Sequence, residues 1–310
     1  MPKISLPALF ILFLLGLANG VQADDPQAVA GNPLFTRTED VIYGRKFGTA
    51  LTMDVFTPRD ANGMAIIWVV SGGWFSDHKL IKTPLYVTQG YTVFAVVHGS
   101  QPKFTIPEAI ADINRAVRYI RYHAKDYKID PDRIGIFGLS AGGHLALMQG
   151  TAGDLGDPKA QDPVERISSR VQTVACFYPP TDFLNYGDKG KNAFGPGGVL
   201  TNFQAAMDIR EFDPRTKMLE RVTNERIAEL SRQISPITHV TADDPPTLII
   251  HGDADTLVPI QQAEAIVAKF KAVGVAAQLV VKKGAGHGWL DMGQDLVTTI
   301  NWFDTYLKKK

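Results

Sequence analysis

The sequence of 310 residues has almost no cysteine, no net charge and no long run of basic residues. The one cysteine, Cys176, excludes an intramolecular disulfide framework and a zinc site built from cysteines. Because 32 basic residues balance 32 acidic ones, the chain lacks the positive charge typical of nucleic-acid binding. Hydrophobic residues make up 45% of the chain, which is too many for a disordered protein. The composition therefore indicates a globular enzyme or binding domain, without nucleic acid as a partner.

Residues 1–23 have the features of a secretory signal peptide. Lys3 supplies a positive charge, residues 4–17 are apolar, and Val21-Gln22-Ala23 offers small residues for cleavage. The alternative is an uncleaved anchor, but the apolar stretch is shorter than the ~20 residues that span a bilayer. We therefore predict a secreted or periplasmic protein, not stably inserted in a membrane after cleavage, whose mature domain is 24–310.

Short apolar runs alternate with helical patterns over most of the chain. Continuous apolar runs are typical of strands covered on both faces, and their alternation with helices predicts a mostly parallel sheet. Residues 39–57 alternate loosely and predict a β-hairpin at the edge of that sheet. The predicted buried strands are 65–70, 91–97, 134–137, 171–177, 247–250 and 278–281, and the predicted helices are 107–120, 141–149, 261–272 and 295–307. The predicted fold class is α/β, with three layers and a twisted sheet between helices.

Residues 183–244 interrupt this alternation. They contain no apolar run of strand type, a glycine-rich stretch at 195–198 and a charged stretch at 217–233 that predicts a helix. An insertion of this length inside a compact domain usually serves as a lid or binding element. We interpret it as a cap over the ends of the strands. The alternative is a solvated excursion that does not contact the site.

Gly138-Leu139-Ser140-Ala141-Gly142 is a G-x-S-x-G motif between a predicted strand and a predicted helix. A serine nucleophile must project from a sharp strand-to-helix turn, and small flanking residues allow that turn. The start of the helix also places the N–H of Ala141 where an oxyanion would develop. The motif predicts Ser140 as a nucleophile; the alternative is a glycine-rich turn with only a structural role.

A serine nucleophile needs a base and an acid that orients the base. The best base is His287, in a glycine-rich loop after the last predicted strand, and the best acid is Asp255, in the loop after the preceding strand. Asp253 lies in the same loop, but closer to the strand, and is expected to close the turn. Ser140, Asp255 and His287 all follow the carboxyl ends of strands, where open α/β sheets keep their sites.

The other histidines are weaker candidates. His144 lies inside the helix after Ser140 and is expected to pack or form hydrogen bonds. His98 and His251 stand at the ends of predicted strands. Each could reach the site or have a structural role. His78 could touch a substrate, and no pattern assigns a role to His123 or His239. On the helix after Pro107, Asp112 and Arg115 or Arg118 are expected to belong to a surface or interhelix ion-pair set without a catalytic role.

Ser71-Gly72-Gly73-Trp74 follows the predicted strand 65–70. Its glycines allow backbone N–H groups to turn toward a pocket, as an oxyanion hole requires. The predicted donors are the N–H groups of Gly72, Gly73 and Trp74, together with that of Ala141. The alternative is a tight turn with no role in stabilising charge.

From about residue 40 onward the chain resembles the α/β-hydrolase superfamily, and within it bacterial esterases of the acetyl, xylan and feruloyl esterase type. The resemblance rests on the elbow at 138–144, on the base loop at 286–288, and on an acid loop at 251–259 that is similar to that of prolyl-oligopeptidase-type hydrolases. One departure concerns the oxyanion segment, which in the family usually begins His-Gly-Gly-Gly. Here Val70 and Ser71 replace the first two of those residues.

The resemblance implies a serine carboxylesterase with a Ser140–His287–Asp255 triad and an acyl-enzyme. It needs no metal and no organic cofactor, and its implied substrates are short, acetyl-type esters, with carbohydrate as a candidate alcohol. One alternative is a serine peptidase of the prolyl-oligopeptidase type, although the chain has little room for the propeller common in those enzymes. A second alternative is an inactive binding protein on a hydrolase scaffold. A lipid-active lipase is disfavoured, because the charged stretch at 217–233 is a poor apolar lid.

Overall fold

The computed structural model describes residues 34–308 of the chain. The predicted signal peptide, residues 1–23, lies outside these residues, so export stays a prediction. Within the described part, no helix is long and apolar enough to cross a membrane.

Ten strands are present in the described part of the chain, and eight of them form one central sheet. In chain order the strands are β1 (Phe35–Lys46), β2 (Thr49–Pro58), β3 (Ala65–Val70), β4 (Thr92–Val97), β5 (Ile134–Leu139), β6 (Thr173–Phe177), β7 (Arg210–Asp213), β8 (Met218–Arg221), β9 (Thr247–Gly252) and β10 (Ala277–Lys282). The order across the sheet is β1-β2-β4-β3-β5-β6-β9-β10, while β7 and β8 form a separate hairpin.

The pairing of the strands confirms the predicted, mostly parallel sheet with a β-hairpin at its edge. β1 and β2 form the edge hairpin, and β2 also runs antiparallel to β4. The remaining five pairings in the sheet are parallel. The carboxyl ends of β3, β5, β6, β9 and β10 therefore meet at one edge of the sheet, where the loops that carry the predicted site begin.

Helices cover both faces of the sheet, which confirms the predicted three-layer α/β fold. The helices are α1 (Ile106–Tyr122), α2 (Ala141–Ala152), α3 (Asn224–Gln233), α4 (Pro236–His239), α5 (Gln261–Ala272) and α6 (Met292–Leu307). On one face α1, α2 and α5 pack against side chains such as Ile67 and Ile136. On the other face α6 packs against their alternate neighbours, such as Ile66 and Phe137. This alternation explains why the buried strands are apolar without interruption.

The insertion at 183–244 has an irregular structure with a short hairpin. The 3-10 helix Thr201–Met207 precedes the exposed hairpin β7–β8, and α3 and α4 follow it. The predicted helix over 217–233 is wrong at its start, because residues 218–221 are the second strand of the hairpin. The helix begins only at Asn224, since the Thr223 side chain accepts a hydrogen bond from the N–H of Arg226 and caps it.

The inner side of the insertion packs against the loop after β3. Phe183, Phe194 and Phe203 each place a ring within about 6 Å of the Trp74 ring. Because Trp74 follows the carboxyl end of β3, the insertion contacts the edge of the sheet where the predicted site lies. Its action as a cap stays a prediction.

Candidate active site

The turn between β5 and α2 holds Ser140 in a conformation that few side chains adopt. Ser140 has φ 53° and ψ −120°, which is a strained backbone for any residue other than glycine. A Cβ atom on Gly138 would lie 2.2 Å from the carbonyl oxygen of Gly142, and one on Gly142 would lie 2.7 Å from that of Val69. The two glycines of the motif are therefore required by close backbone contacts around the nucleophile.

Hydrogen bonds join Ser140, His287 and Asp255 in a line. His287 Nε2 lies 2.9 Å from Ser140 Oγ, although the two residues are 147 positions apart. His287 Nδ1 lies 2.7 Å from Asp255 Oδ2. An ionised carboxylate only accepts hydrogen bonds, so Nδ1 carries the proton and donates it to Asp255, while Nε2 accepts from the Ser140 hydroxyl. This arrangement can remove a proton from Ser140.

The structure holds Asp255 through both of its carboxylate oxygens. Oδ1 accepts hydrogen bonds from the N–H groups of Leu257 and Val258, each at 2.9 Å. Oδ2 faces His287 and also lies 3.4 Å from His251 Nε2. Burial acts to raise the pKa of Asp255, but the hydrogen bonds with His251, His287 and Val258 outweigh it and hold that pKa well below its ordinary value. The carboxylate is therefore ionised at neutral pH.

Two of the weaker candidates of the acid loop have structural positions. Asp253 is exposed, and its Oδ1 accepts a hydrogen bond of 2.6 Å from the N–H of Gly284, which ties the acid loop to the base loop. His251 is fully buried, and its Nε2 donates to the carbonyl of Val258 at 2.8 Å. Of the two aspartates, it is Asp255 and not Asp253 that contacts His287.

The predicted oxyanion segment, residues 71–74, forms a tight loop together with Phe75. The N–H of Gly72 donates to the carbonyl of Phe75, and the N–H of Phe75 donates back to Gly72, both at 2.9 Å. The prediction of Gly72 as an oxyanion donor is therefore wrong, because its N–H is already used within the loop. Gly73 and Trp74 have φ of 56° and 60°, and no acceptor among residues 34–308 takes their N–H groups or that of Ala141.

Ser71, one of the two residues that depart from the family's oxyanion segment, has a histidine as its partner. Ser71 Oγ lies 2.8 Å from His98 Nε2, and His98 Nδ1 lies 2.8 Å from the carbonyl oxygen of Gly99. Burial lowers the pKa of His98 to about 4, against a smaller opposing effect of that carbonyl. His98 is therefore neutral at pH 7, donates from Nδ1 to Gly99 and accepts at Nε2 from the Ser71 hydroxyl. His98 therefore contacts the oxyanion segment through Ser71.

His144 joins the oxyanion segment to the insertion. The indole N–H of Trp74 donates to His144 Nδ1 at 3.0 Å, and His144 Nε2 donates to the carbonyl of Ile234 at 2.7 Å. Burial lowers the pKa of His144 to about 4, and the Ile234 carbonyl opposes that shift. The predicted role of His144 in hydrogen bonding and packing agrees with these contacts.

One group of side chains in the described part could hold a metal ion, and it lies beside the edge hairpin, with two aspartates on the hairpin and a histidine from the segment after β3. Asp40, Asp54 and His78 bring their ligand atoms within 4.8 Å of one another. The guanidinium of Arg37 already pairs with the buried Asp54, at 2.9 Å from its Nε. His78 also lies 2.7 Å from the hydroxyl of Thr52. These partners give the group a structural explanation at the hairpin.

The charged residues of α1 pair with other parts of the chain, and Asp112 differs from the predicted surface or interhelix set because its partner is on a strand. Asp112 is buried and pairs with Lys46 at 2.6 Å, not with the arginines of its own helix. Arg115 pairs instead with Asp162 at 2.6 Å, and Arg118 pairs with Asp154. The sequence pattern placed these charges on one helix, but their partners come from β1 and from the segment after α2.

Tyr178 is a residue of the site that the motifs did not indicate. Its ring centroid lies 4.4 Å from that of His287, at an interplanar angle of 52°. It directly follows β6 and has φ 37°, an unusual backbone for a bulky side chain. Its place after the carboxyl end of a parallel strand is the signal that could have identified it, because the same rule located Asp255 and His287.

Comparisons with known proteins identify a family and similar esterases. The BD-FAE family model matches residues 53–270. The chain is 30% identical over 242 residues to the probable carboxylic ester hydrolase LipM of Mycobacterium tuberculosis. This match covers 76% of this chain and 52% of LipM. It is 26% identical to the esterase LipQ of the same organism, over 83% of this chain and 58% of LipQ. The chain thus spans about half the length of the curated relatives it matches.

Two solved structures are also similar. One is a truncated form of a carbohydrate esterase from gut microbiota, with a TM-score of 0.70, 25% identity, and coverage of 89% of this chain and 99% of that one. The other is an acetyl ester-xyloside bifunctional hydrolase from Caldicellulosiruptor lactoaceticus, with a TM-score of 0.64, 25% identity, and coverage of 92% and 91%. With the family model matching most of its length, the chain belongs to the BD-FAE family and has the α/β-hydrolase fold.

Proposed function

We propose that the protein is a serine carboxylesterase that works through an acyl-enzyme. The observation that carries this proposal is the hydrogen-bonded line from Ser140 through His287 to Asp255. Close by, the N–H groups of Ala141, Gly73 and Trp74 have no acceptor within residues 34–308. The names of the curated relatives, a probable carboxylic ester hydrolase and an esterase, support the same reaction class.

Acylation starts with proton transfer from Ser140 Oγ to His287 Nε2 as Oγ attacks the ester carbonyl carbon. The new imidazolium is stabilised by the ionised Asp255, which also fixes the tautomer that leaves Nε2 free. The oxyanion of the tetrahedral intermediate accepts hydrogen bonds from the backbone donors, each of which contributes about 10²–10³ in rate. His287 then protonates the leaving alcohol, and the acyl-enzyme remains.

Deacylation repeats these steps with water. His287 takes a proton from a water molecule while the water oxygen attacks the acyl carbon. When this tetrahedral intermediate collapses, His287 returns the proton to Ser140 Oγ. The products are a carboxylic acid and the free enzyme. Every proton transfer uses His287, so no step requires a group from outside the chain other than water.

We further propose that the substrates are short, acetyl-type esters, with carbohydrate as the candidate alcohol, and that the enzyme acts after export. The ring of Phe203 lies against Gly73, where a Cβ atom would be 2.5 Å from it, so an aromatic side chain fills the space beside the oxyanion segment. A long acyl chain has little room on that side. The similar carbohydrate esterase and acetyl ester-xyloside hydrolase support this choice of substrate.

The test is hydrolysis of p-nitrophenyl acetate, butyrate and octanoate by residues 24–310, with Ser140→Ala beside the wild type. We expect preference for acetate, and a loss of about 10⁴-fold or more in kcat for the variant with unchanged far-UV circular dichroism. A serine-reactive phosphonate should label the wild type at Ser140.

Other outcomes contradict the proposal in different ways. Cleavage of a peptide panel without ester hydrolysis would indicate a peptidase. Neither hydrolysis nor labelling would indicate a binding protein on a hydrolase scaffold. Preference for octanoate would contradict the short-acyl assignment while leaving the serine mechanism in place.

A further inference from the structure

The loop that follows β4, residues 98–101, runs along the oxyanion segment and bonds to it repeatedly. His98 accepts from the Ser71 hydroxyl at 2.8 Å. The N–H of Gln101 donates to the carbonyl of Trp74 at 3.2 Å, and its side-chain Nε2 donates to the carbonyl of Gly73 at 3.3 Å. Three contacts from one loop therefore hold Ser71, Gly73 and Trp74.

These contacts determine where the free N–H groups point. In a trans peptide the C=O and the N–H of one unit point in opposite directions. Because the Gln101 side chain holds the carbonyl of Gly73, the N–H of Trp74 in the same unit points away from Gln101. The N–H of Phe75 holds the carbonyl of Gly72 in the same way, which directs the N–H of Gly73. Both donors are thus oriented before a substrate arrives.

Ser71 connects this arrangement to the nucleophile. A Cβ atom on Gly142 would lie 3.4 Å from the Ser71 carbonyl oxygen and 3.6 Å from its Cβ, so Ser71 rests on the turn that carries Ser140. Its hydroxyl is bonded on the other side to His98. Ser71 is therefore held between the serine turn and the loop after β4, and this sets the distance from the segment to the N–H of Ala141.

The loop after β4 is itself anchored at a buried charge. The N–H of Gly99 donates to Asp112 Oδ2 at 2.8 Å, and Lys46 pairs with the same oxygen at 2.6 Å. Asp112 is only 3% exposed. A charge-assisted hydrogen bond of this kind is stronger than one between neutral groups, so the backbone beside His98 has a firm position.

We propose that His98 and Gln101 are positioning residues of the oxyanion hole. They orient the N–H donors of Gly73 and Trp74 relative to that of Ala141, a role that rests on the proposed esterase function. A histidine is missing from the start of the oxyanion segment, and here His98, 27 positions after Ser71, supplies a brace from the neighbouring strand. Neither residue touches the reacting atoms.

Three variants test the proposal. Gln101→Met removes the side-chain donor at nearly constant volume, Ser71→Ala removes only the hydroxyl bonded to His98, and His98→Phe removes its partner. The measurements are kcat and KM for p-nitrophenyl acetate, and the Ki of a trifluoromethyl ketone, whose adduct with Ser140 places an oxyanion in the hole. We expect kcat to fall roughly tenfold or more, KM to stay within about twofold, and Ki to rise by the factor lost in kcat/KM.

Gln149→Met is the matched control. Gln149, like Gln101, donates from its side-chain Nε2 to a backbone carbonyl, here that of Ser169. It is more deeply buried than the half-buried Gln101 and lies on α2, away from the oxyanion segment. It should leave kcat and Ki as in the wild type. An equal loss in Gln149→Met would show a general structural effect and overturn the proposal.

The possible results test the positioning role and the esterase function separately. Wild-type kcat and Ki in Gln101→Met and Ser71→Ala, with an active wild type, would overturn the positioning role and leave the esterase function standing. A wild type that neither hydrolyses esters nor reacts with a phosphonate would overturn both. If His98→Phe fails to fold, Ser71→Ala still decides the question, because it deletes one hydroxyl and adds no volume.

Discussion

At the scale of single residues, Asp255 combines two tasks on its two oxygens. One oxygen is fixed by the N–H groups of Leu257 and Val258, and the other receives the proton-bearing nitrogen of His287. The carboxylate cannot rotate without losing both backbone bonds. Orientation of the imidazole and stabilisation of its positive charge therefore come from one rigid group.

We predict that Asp255→Asn lowers kcat by about 10⁴-fold with little change in fold. The amide oxygen would keep the two backbone bonds, so its NH₂ group would face His287 and force the unprotonated nitrogen toward it. His287 Nε2 would then carry the proton and could not accept one from Ser140. Rates with p-nitrophenyl acetate measure the effect. Asp253→Asn, in the same loop, is the control and should change kcat by less than about threefold; similar losses in both variants would contradict the assignment.

A second residue-scale prediction concerns the turn at Ser140. Gly138→Ala should destabilise the protein by about 3 kcal/mol or more, because its Cβ would lie 2.2 Å from the carbonyl oxygen of Gly142. Gly293→Ala is the control, since a Cβ there meets nothing within 4 Å and the residue lies in α6. That change should leave stability equal or raise it by up to about 1 kcal/mol. Urea unfolding measures both, and equal midpoints would show that the turn tolerates a side chain.

At the scale of elements, the insertion has an inner and an outer part. Its inner part packs three aromatic rings on Trp74, while the outer hairpin β7–β8 leaves Phe212 and Leu219 about 60% exposed. The two ends of the hairpin meet, because the N–H of Val222 donates to the carbonyl of Ile209 at 3.2 Å. The inner part therefore packs on the core, whereas the hairpin projects from the inner part.

We predict that replacing residues 210–221 by an Asn-Gly turn leaves the fold and the hydrolysis of small esters intact. The melting temperature should change by less than about 4 °C, and kcat/KM for p-nitrophenyl acetate by less than about threefold. Phe194→Ala, in the inner part, should instead destabilise the protein by about 3–5 kcal/mol, because Phe194 is buried against Trp74. A large loss of activity in the hairpin variant would show that the outer part belongs to the site.

At the scale of the whole molecule, two buried neutral histidines link segments that are far apart in the sequence. His98 joins the end of β4 to the loop after β3, and His144 joins α2 to that loop and to the end of α3. Each accepts a hydrogen bond at one nitrogen, so protonation would remove an acceptor and place a charge in the core. Both links therefore depend on pH.

We predict that the free energy of unfolding falls as pH drops from 6.5 toward 4. Each histidine has a pKa of about 4 when folded and about 6.5 when unfolded, so the unfolded chain binds more protons in this window. By pH 5 the loss is about 2 kcal/mol per histidine. The lowered pKa of Asp255 acts only below this window, because an unfolded aspartate titrates near 3.8. Urea unfolding at pH 7 and pH 5 measures the slope, which His144→Gln should reduce; an unchanged slope would exclude His144 as its source.

The sequence by itself determined the α/β class, the approximate positions of the strands of the central sheet and the serine turn. Each of these depends on short-range chemistry. Apolar runs such as 134–137 identify buried strands through their continuity. The G-x-S-x-G motif at 138–142 is a local pattern, and Gly138 is required by its close contact with Gly142 four positions later. The prediction of a helix from the local pattern failed at 217–223. There, residues 218–221 form a strand and Thr223 caps the helix that follows.

Only the tertiary structure decided which groups face one another. Asp253 and Asp255 differ by two positions in one loop, and the path of that loop in space turns Asp255 toward His287. The N–H of Gly72 is lost to Phe75, while Ser71 finds His98 on another strand. Hydrogen-bond partners of this kind are fixed by how separate loops pack at one edge of the sheet, and the periodicity of a single segment does not encode that packing.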